Sequence, residues 1–229
     1  ADFAACRTDV IFLCIVYPII GLVLARLVFE YDMVRMLFPL ASGFALLGPV
    51  AAVGLYEMSR RRDSGQPAGW GDALGVVRSP RLGAILALGA ILLVIFLAWL
   101  GAAEWIYALT LGTAAPASLG GFFDQVFTTL AGWTMIVVGV GVGFLFALLV
   151  LAISVVSFPL LLERNVGVGA AIVASFRAVT TNPGPMAVWG VIVAVGLVLG
   201  SLPLFLGLAV VVPVLGHATW HLYRKVIAG

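Results

Sequence analysis

The chain has 229 residues, of which 63% are hydrophobic and only 10% are charged, and its formal net charge is +2. Soluble domains carry about 25% charged residues and about 45–50% apolar residues, so this composition excludes an ordinary soluble domain and is typical of a polytopic membrane protein. Apolar runs recur along the whole chain. We therefore expect a single integral membrane domain over residues 1–229, surrounded by the lipid bilayer and without a nucleic-acid partner.

Six apolar runs predict membrane-spanning helices, because about 20 apolar residues cross a hydrocarbon core of about 30 Å. The first three runs are residues 10–29, 33–56 and 82–103. The fourth span lies within residues 127–162, a stretch that is too long for one straight crossing. The last run, residues 185–223, is divided into spans five and six by a Gly-Ser-Leu-Pro turn. The sequence therefore predicts an all-α bundle of about six transmembrane helices.

Lysine and arginine residues divide unequally between the two sides of this bundle. Arg26 and Arg35 fall on one side. The other side receives ten basic residues, which are Arg7, Arg60, Arg61, Arg62, Arg78, Arg81, Arg164, Arg177, Arg224 and Lys225. The positive-inside rule places the more basic side in the cytoplasm. An even number of spans puts both termini on that side, so we expect a bacterial inner-membrane protein with both termini in the cytoplasm.

A weak internal repeat precedes spans three and five. The segments "GWGDAL" and "GVGAAI", which begin at residues 69 and 167, match in pattern, and each leads to an arginine and then to a capping residue followed by proline. The capping pairs are Ser79-Pro80 and Asn182-Pro183, and such pairs mark the start of a helix. Residues 69–78 and 167–180 are too short to cross a bilayer. We predict that they form two short helices lying in the cytoplasmic interface.

Two C-terminal segments, "SFPLLLERNVGVGAAIVASFRAVTTNPGPMAVWG" and "PLFLGLAVVVPVLGHATWHLYRKV", resemble a bacterial family known only as predicted integral membrane proteins of unknown function. The resemblance extends from about Pro39 onward and is most specific in the GHATWHLYR ending. The PLLLER segment is more loosely similar to the membrane domains of glycerophosphodiester phosphodiesterases, whose catalytic domain is absent from this sequence. The resemblance implies a membrane fold and brings no established activity.

The two histidines, His217 and His221, lie four residues apart, so both imidazoles fall on one helix face. A zinc site needs three or four protein ligands, and the two cysteines, Cys6 and Cys14, lie at the other end of the chain. Aromatic and basic neighbours are typical of a helix leaving the membrane. We interpret five residues as interfacial anchors: His217, Trp220, His221, Tyr223 and Arg224. A polar contact with a partner and a metal or haem ligand are the alternatives.

Glycines that recur every four residues predict close helix packing, because small side chains let helix backbones approach in lipid. Such pairs are Gly139 with Gly143 in span four and Gly196 with Gly200 in span five. The simpler interpretation is packing inside one six-helix bundle. The alternative is a docking face for another membrane protein.

Enzyme signatures are missing from the sequence, which has neither a phosphate-binding P-loop nor an H-E-x-x-H motif. An ion or proton path would need acidic groups near the middle of a span, and none is clearly placed there. We therefore predict no enzyme, no catalytic residues, no metal and no cofactor. The favoured function is an accessory or assembly-type subunit that packs against a larger respiratory or photosynthetic membrane complex. The alternative is a small-solute or lipid transporter acting as a homo-oligomer.

Overall fold

The computed structural model describes residues 21–22, 26, 34–69, 74–113, 118–203 and 206–228, and every regular element within them is a helix. Short 3-10 helices cover Val34–Met36 and Leu74–Arg78. The α-helices are α1 (Leu37–Leu46), α2 (Gly48–Ala51), α3 (Val53–Asp63), α4 (Leu82–Thr110), α5 (Leu119–Thr128), α6 (Leu130–Ser154), α7 (Ser157–Glu163), α8 (Val168–Thr181), α9 (Pro183–Ser201) and α10 (Leu208–Ala228). The predicted all-α class is confirmed.

Three described helical stretches are long and apolar enough to cross a membrane, namely Leu82–Thr110, Leu130–Glu163 and Pro183–Ser201. They correspond to the predicted spans three, four and five. The number of six spans is not confirmed. Predicted span one lies almost entirely outside the described residues, and span two is divided among short helices. Helix α10, which holds most of span six, is long enough but carries polar and basic residues in its second half.

Proline residues explain two interruptions in these helices. A proline inside a helix removes one backbone N–H, and its ring clashes with the carbonyl group four residues earlier. Pro49 lies in the first turn of α2, directly after the break at Leu47. Pro159 lies in α7, just after the break that separates α6 from α7. The predicted fourth span is therefore divided between α6 and α7. Its length already indicates that it is not one straight helix.

The two proline pairs begin their helices differently. Asn182 and Pro183 occupy the capping and first positions of α9, as predicted, although the Asn182 side chain donates to the Ala178 carbonyl at 3.1 Å instead of capping the helix. Helix α4 begins two residues after Pro80, with Arg81 at the capping position. The Ser79 hydroxyl accepts a hydrogen bond from the Arg81 backbone N–H at 3.2 Å and so shapes the turn before the helix.

The predicted internal repeat is not confirmed. The described part of the first segment is a five-residue 3-10 helix, whereas the second segment is the 14-residue helix α8. The first segment has glycine at positions 69, 71 and 75, and glycine is a poor helix former. In α8 small residues, Ala171, Ser175 and Ala178, are buried while Val173 and Phe176 are exposed. Helix α8 therefore has one buried and one exposed face, as expected of an interfacial helix, and the described part of the first segment contains no comparable helix.

Many of the largest fully buried side chains, though not Trp99, lie at one end of the structure, where α3 packs against α7 and α10, and α7 packs against α8. They include Met58, Leu88, Phe158, Leu161, Trp220 and Tyr223. We call this end, which carries Arg60, Arg81, Arg164 and Arg224, the basic end. The long apolar helices are covered far less, and only 11% of the most apolar window is buried in each of the last two candidate spans. Such exposed apolar surface is typical of helices that face lipid.

Candidate functional site

Two carboxylates at the basic end tie α10 to α3 and α7. Trp220 Nε1 donates to Asp63 Oδ2 at 2.7 Å. Arg224 Nη1 donates to Glu163 Oε1 at 2.6 Å, and the Tyr223 hydroxyl donates to the second oxygen of the same carboxylate. Arg224 Nε also lies 3.8 Å from Asp63 Oδ2. Each carboxylate therefore receives contacts from residues on α10, and sequence analysis assigned no role to either acid.

The predicted interfacial anchors divide into buried and exposed residues. His217, Trp220 and Tyr223 are 4%, 1% and 0% exposed, respectively, whereas His221 and Arg224 are exposed. The two imidazoles therefore lie in different surroundings although they are one helical turn apart. Burial gives His217, Trp220 and Tyr223 a place in the packing between helices. Anchoring of these five residues at a membrane interface stays a prediction.

A serine and a histidine that are far apart in the sequence meet at the basic end. Ser59 Oγ lies 2.6 Å from His217 Nδ1, which joins α3 to α10 across 158 positions of the chain. A serine nucleophile must reach its substrate, but the Ser59 side chain is fully buried. The arrangement therefore serves as a contact between two helices. No local signal in the sequence singles out Ser59.

A cleft of about 190 Å³ lies between the end of α3, the second 3-10 helix and the start of α4. Its lining residues are Glu57, Arg60, Arg61, Gly75, Val76, Arg78, Ser79, Arg81 and Leu162. Among the described residues of this lining, four arginines and one glutamate give a formal charge of +3. We call it the basic cleft. Sequence analysis used Arg60, Arg61 and Arg81 as determinants of topology, and Arg78 also as the arginine of the predicted repeat. It did not predict that the four residues gather around one cleft.

Three of the four guanidinium groups of the basic cleft donate hydrogen bonds to acceptors within the protein. Arg60 makes two hydrogen bonds of 2.7 Å to the buried carboxylate of Glu57, and Arg61 Nε donates to Glu57 Oε1 at 3.0 Å. The hydrogen bonds that Arg60 donates to the Glu57 carboxylate raise the pKa of Arg60 above its usual value. Arg81 Nη1 donates to the Leu162 carbonyl. The spacing of Glu57 from the two arginines, three and four residues, was a readable signal for these pairs.

The four predicted packing glycines differ in what they face. A Cβ atom at Gly143 would come within 3.1 Å of a tryptophan ring on α4, and one at Gly200 within 2.7 Å of a leucine on α10. Gly196 also faces α10, at 3.3 Å. These three glycines therefore lie at contacts within this chain. A Cβ atom at Gly139 would meet nothing within 4 Å.

A smaller polar group occupies the other end of α4. Arg35 pairs with Glu104 at 3.0 Å, and its guanidinium lies 5.5 Å from the centre of the Tyr107 ring. Glu104 follows Leu82, the first residue of α4, by about 33 Å along the helix axis at about 1.5 Å per residue. Arg35 and the basic cleft are thus separated by about the thickness of a bilayer core.

The described residues contain no group of three or more histidine, cysteine, aspartate or glutamate side chains that could hold a metal ion. Cys6 and Cys14 lie outside the described residues.

Comparison with known proteins gives one match. Residues 37–163 match a family described as "Predicted integral membrane protein (DUF2189)", and this range contains α1 to α7 and all nine residues named above as lining the basic cleft. No curated protein and no solved structure matches the chain. The GHATWHLYR ending lies outside the matched range, and the looser similarity to glycerophosphodiester phosphodiesterases finds no support in these comparisons. Since more than half of the residues are matched, the chain belongs to the DUF2189 family of predicted integral membrane proteins.

Proposed function

We propose that this protein is a non-catalytic accessory or assembly-type subunit that packs against a larger respiratory or photosynthetic complex in the bacterial inner membrane. The observation that carries the proposal is the outward face of α6. Gly141 lies there in an exposed stripe with Val137, Phe144 and Leu148. A Cβ atom at Gly141 would meet nothing within 4 Å. A small residue between large apolar ones forms a notch into which a helix of another subunit fits closely.

The buried polar contacts support the non-catalytic part of the proposal. Ser59 and His217 meet in the buried interior, and the carboxylates of Asp63 and Glu163 receive hydrogen bonds from α10. These groups stabilise the contacts between helices. These polar groups hold the helices together, and we propose that the membrane-facing surface carries the protein's function.

The proposed topology is a bundle of six spans with both termini and the basic end in the cytoplasm. Its support is the ten-to-two division of basic residues, together with the opposite placement of Arg35 and Arg81 at the two ends of α4. Lysine and arginine tend to be retained on the cytoplasmic side during insertion, so this division supports the proposed orientation.

Purification of the full-length, tagged protein from its own membranes in mild detergent tests the accessory role. We expect a defined respiratory or photosynthetic complex in stoichiometric amount, identified by mass spectrometry. Gly141→Leu fills the notch and should reduce that amount without loss of folded protein. Gly101→Leu is the matched control, because Gly101 is an exposed glycine on α4 whose Cβ atom would also meet nothing within 4 Å.

A clean homo-oligomer without other subunits would contradict the accessory role. It would favour the alternative function, a transporter of small solutes or lipids. An equal loss of the complex in Gly141→Leu and Gly101→Leu would separate the accessory role from the α6 notch and contradict the assignment of the notch as the docking face.

A further inference from the structure

We infer that the basic cleft binds the phosphate group of an anionic phospholipid head group. The cleft presents guanidinium groups from Arg60, Arg61, Arg78 and Arg81 around one space, together with the hydroxyl of Ser79. Guanidinium groups form charge-assisted hydrogen bonds with phosphate oxygens, often two at a time. With a formal lining charge of +3, the cleft matches an anion that carries several acceptor oxygens.

The cleft is organised before any ligand arrives. Glu57 fixes Arg60 and Arg61 by hydrogen bonds of 2.7 to 3.0 Å, and the Leu162 carbonyl fixes Arg81. Fixed side chains lose little conformational entropy when they bind, so affinity rises. Among the described residues that line the cleft, Glu57 is one acid beside four arginines. Arg78, which is exposed, completes the lining from the 3-10 helix.

The position of the cleft favours a lipid as the source of the phosphate. Arg81 directly precedes Leu82, where the first described candidate span begins, so the cleft lies at the membrane boundary. Val77, between the lining residues Val76 and Arg78, is 64% exposed and offers an apolar surface for an acyl chain. Basic groups beside a span attract the anionic lipids of the cytoplasmic leaflet.

The size of the cleft fits a head group better than a whole metabolite. Pockets for drug-sized ligands have volumes of about 300–1,000 Å³, and this cleft, at about 190 Å³, is smaller. A phosphate with its glycerol attachment is small enough to enter, while the acyl chains remain in the bilayer. Lipid binding in the cleft is independent of the accessory role proposed for the α6 face.

Lipid titrations of the purified full-length protein, followed by native mass spectrometry, test this inference. The probes are phosphatidylglycerol and phosphatidylcholine with identical acyl chains. We expect phosphatidylglycerol to bind several-fold more tightly, because the phosphatidylcholine head group has no net charge. Arg78→Gln should weaken phosphatidylglycerol binding about fivefold, the contribution of one basic residue near an anionic surface, and Arg78→Lys should keep most of the affinity.

Arg177→Gln is the matched control for the variant of Arg78. Arg177 is also an exposed arginine, but it lies on α8 and does not line the cleft. Its replacement should leave binding of phosphatidylglycerol unchanged. Thermal unfolding of each variant shows whether the fold is retained, and the comparison of the two lipids on the unmodified protein requires no variant at all.

Three results would overturn the inference. One is equal affinity of the unmodified protein for the two lipids. Another is an equal loss of phosphatidylglycerol binding in Arg78→Gln and Arg177→Gln, which would assign the effect to overall charge. The third is saturable binding of inorganic phosphate at millimolar concentration by a protein that shows no preference for phosphatidylglycerol, which would make a soluble phosphate the ligand.

Discussion

Trp220 donates its indole N–H to Asp63 across 2.7 Å and thereby joins the middle of α10 to the last residue of α3. The Trp220 ring is almost fully buried and lies 5.4 Å from the ring of Tyr223, which binds Glu163 at the end of α7. Helix ends that are far apart in the sequence are thus fastened at one place. We therefore expect the basic end to unfold last among the described parts of the structure.

Trp220→Phe should lower the thermal unfolding temperature of the protein in detergent. The substitution keeps an aromatic ring but leaves the Asp63 carboxylate without the indole donor, and the loss of such a hydrogen bond costs about 1 kcal/mol or somewhat more. Trp105→Phe is the control, because Trp105 is largely exposed. Equal unfolding temperatures for Trp220→Phe and the unmodified protein would show that the Asp63 contact adds nothing to stability.

Glu163→Ala should destabilise the protein more than Tyr223→Phe does. Glu163 accepts hydrogen bonds from both Tyr223 and Arg224, so its removal leaves two donors without this partner at a cost of about 1–3 kcal/mol. Chemical unfolding monitored by tryptophan fluorescence measures the difference. Asp124→Ala, which removes an exposed carboxylate at the other end, should have little effect. If Tyr223→Phe costs as much as Glu163→Ala, the second contact to Arg224 is unimportant.

Two glycines of α6 should respond differently to valine. A side chain at Gly143 would press on the Trp99 ring, since its Cβ atom would already lie 3.1 Å away. Overpacking of this kind costs about 1–3 kcal/mol, so Gly143→Val should lower the unfolding temperature. Gly141→Val should not, because nothing of this chain lies within 4 Å of the new Cβ atom. A larger loss in Gly141→Val would contradict the packing of α6 against α4.

The purified protein should contain no metal or haem bound by His217 and His221. His217 is buried against Ser59, whereas His221 is exposed, so the two imidazoles do not converge on one ion. Elemental analysis and a visible absorption spectrum measure both possibilities. A stoichiometric metal, or a haem band that disappears in His217→Ala and His221→Ala, would show that the pair is a ligand site after all.

Hydropathy alone predicted the start of α4 correctly, at Leu82, but placed its end at residue 103 and not at Thr110. The helix continues because Glu104 pairs with Arg35 and Tyr107 is buried. These contacts involve residues from other parts of the chain, so the hydropathy of the segment itself does not predict them. The start of α9 was predicted by Asn182 and Pro183, because proline at the first helical position is a local signal.

Most contacts between helices at the basic end could not be predicted from the sequence. Helical spacing shows which residues share a face but not which other helix covers that face. The contact of Ser59 with His217 is therefore unpredictable from either segment alone. The predicted repeat is not confirmed for a related reason. Matching glycine and proline positions do not show which helices a segment packs against, whereas the small residues of α8 are buried against neighbouring helices.

Cysteine labelling in spheroplasts tests the central claim, a membrane protein with its basic end in the cytoplasm. Cys6 and Cys14 are first replaced by serine, and Arg164→Cys and Asp124→Cys are introduced separately, because both positions are exposed and lie at opposite ends. A membrane-impermeant maleimide should label Asp124→Cys in intact spheroplasts and Arg164→Cys only after permeabilisation. Labelling of Arg164→Cys from outside, with protection of Asp124→Cys, would contradict the account.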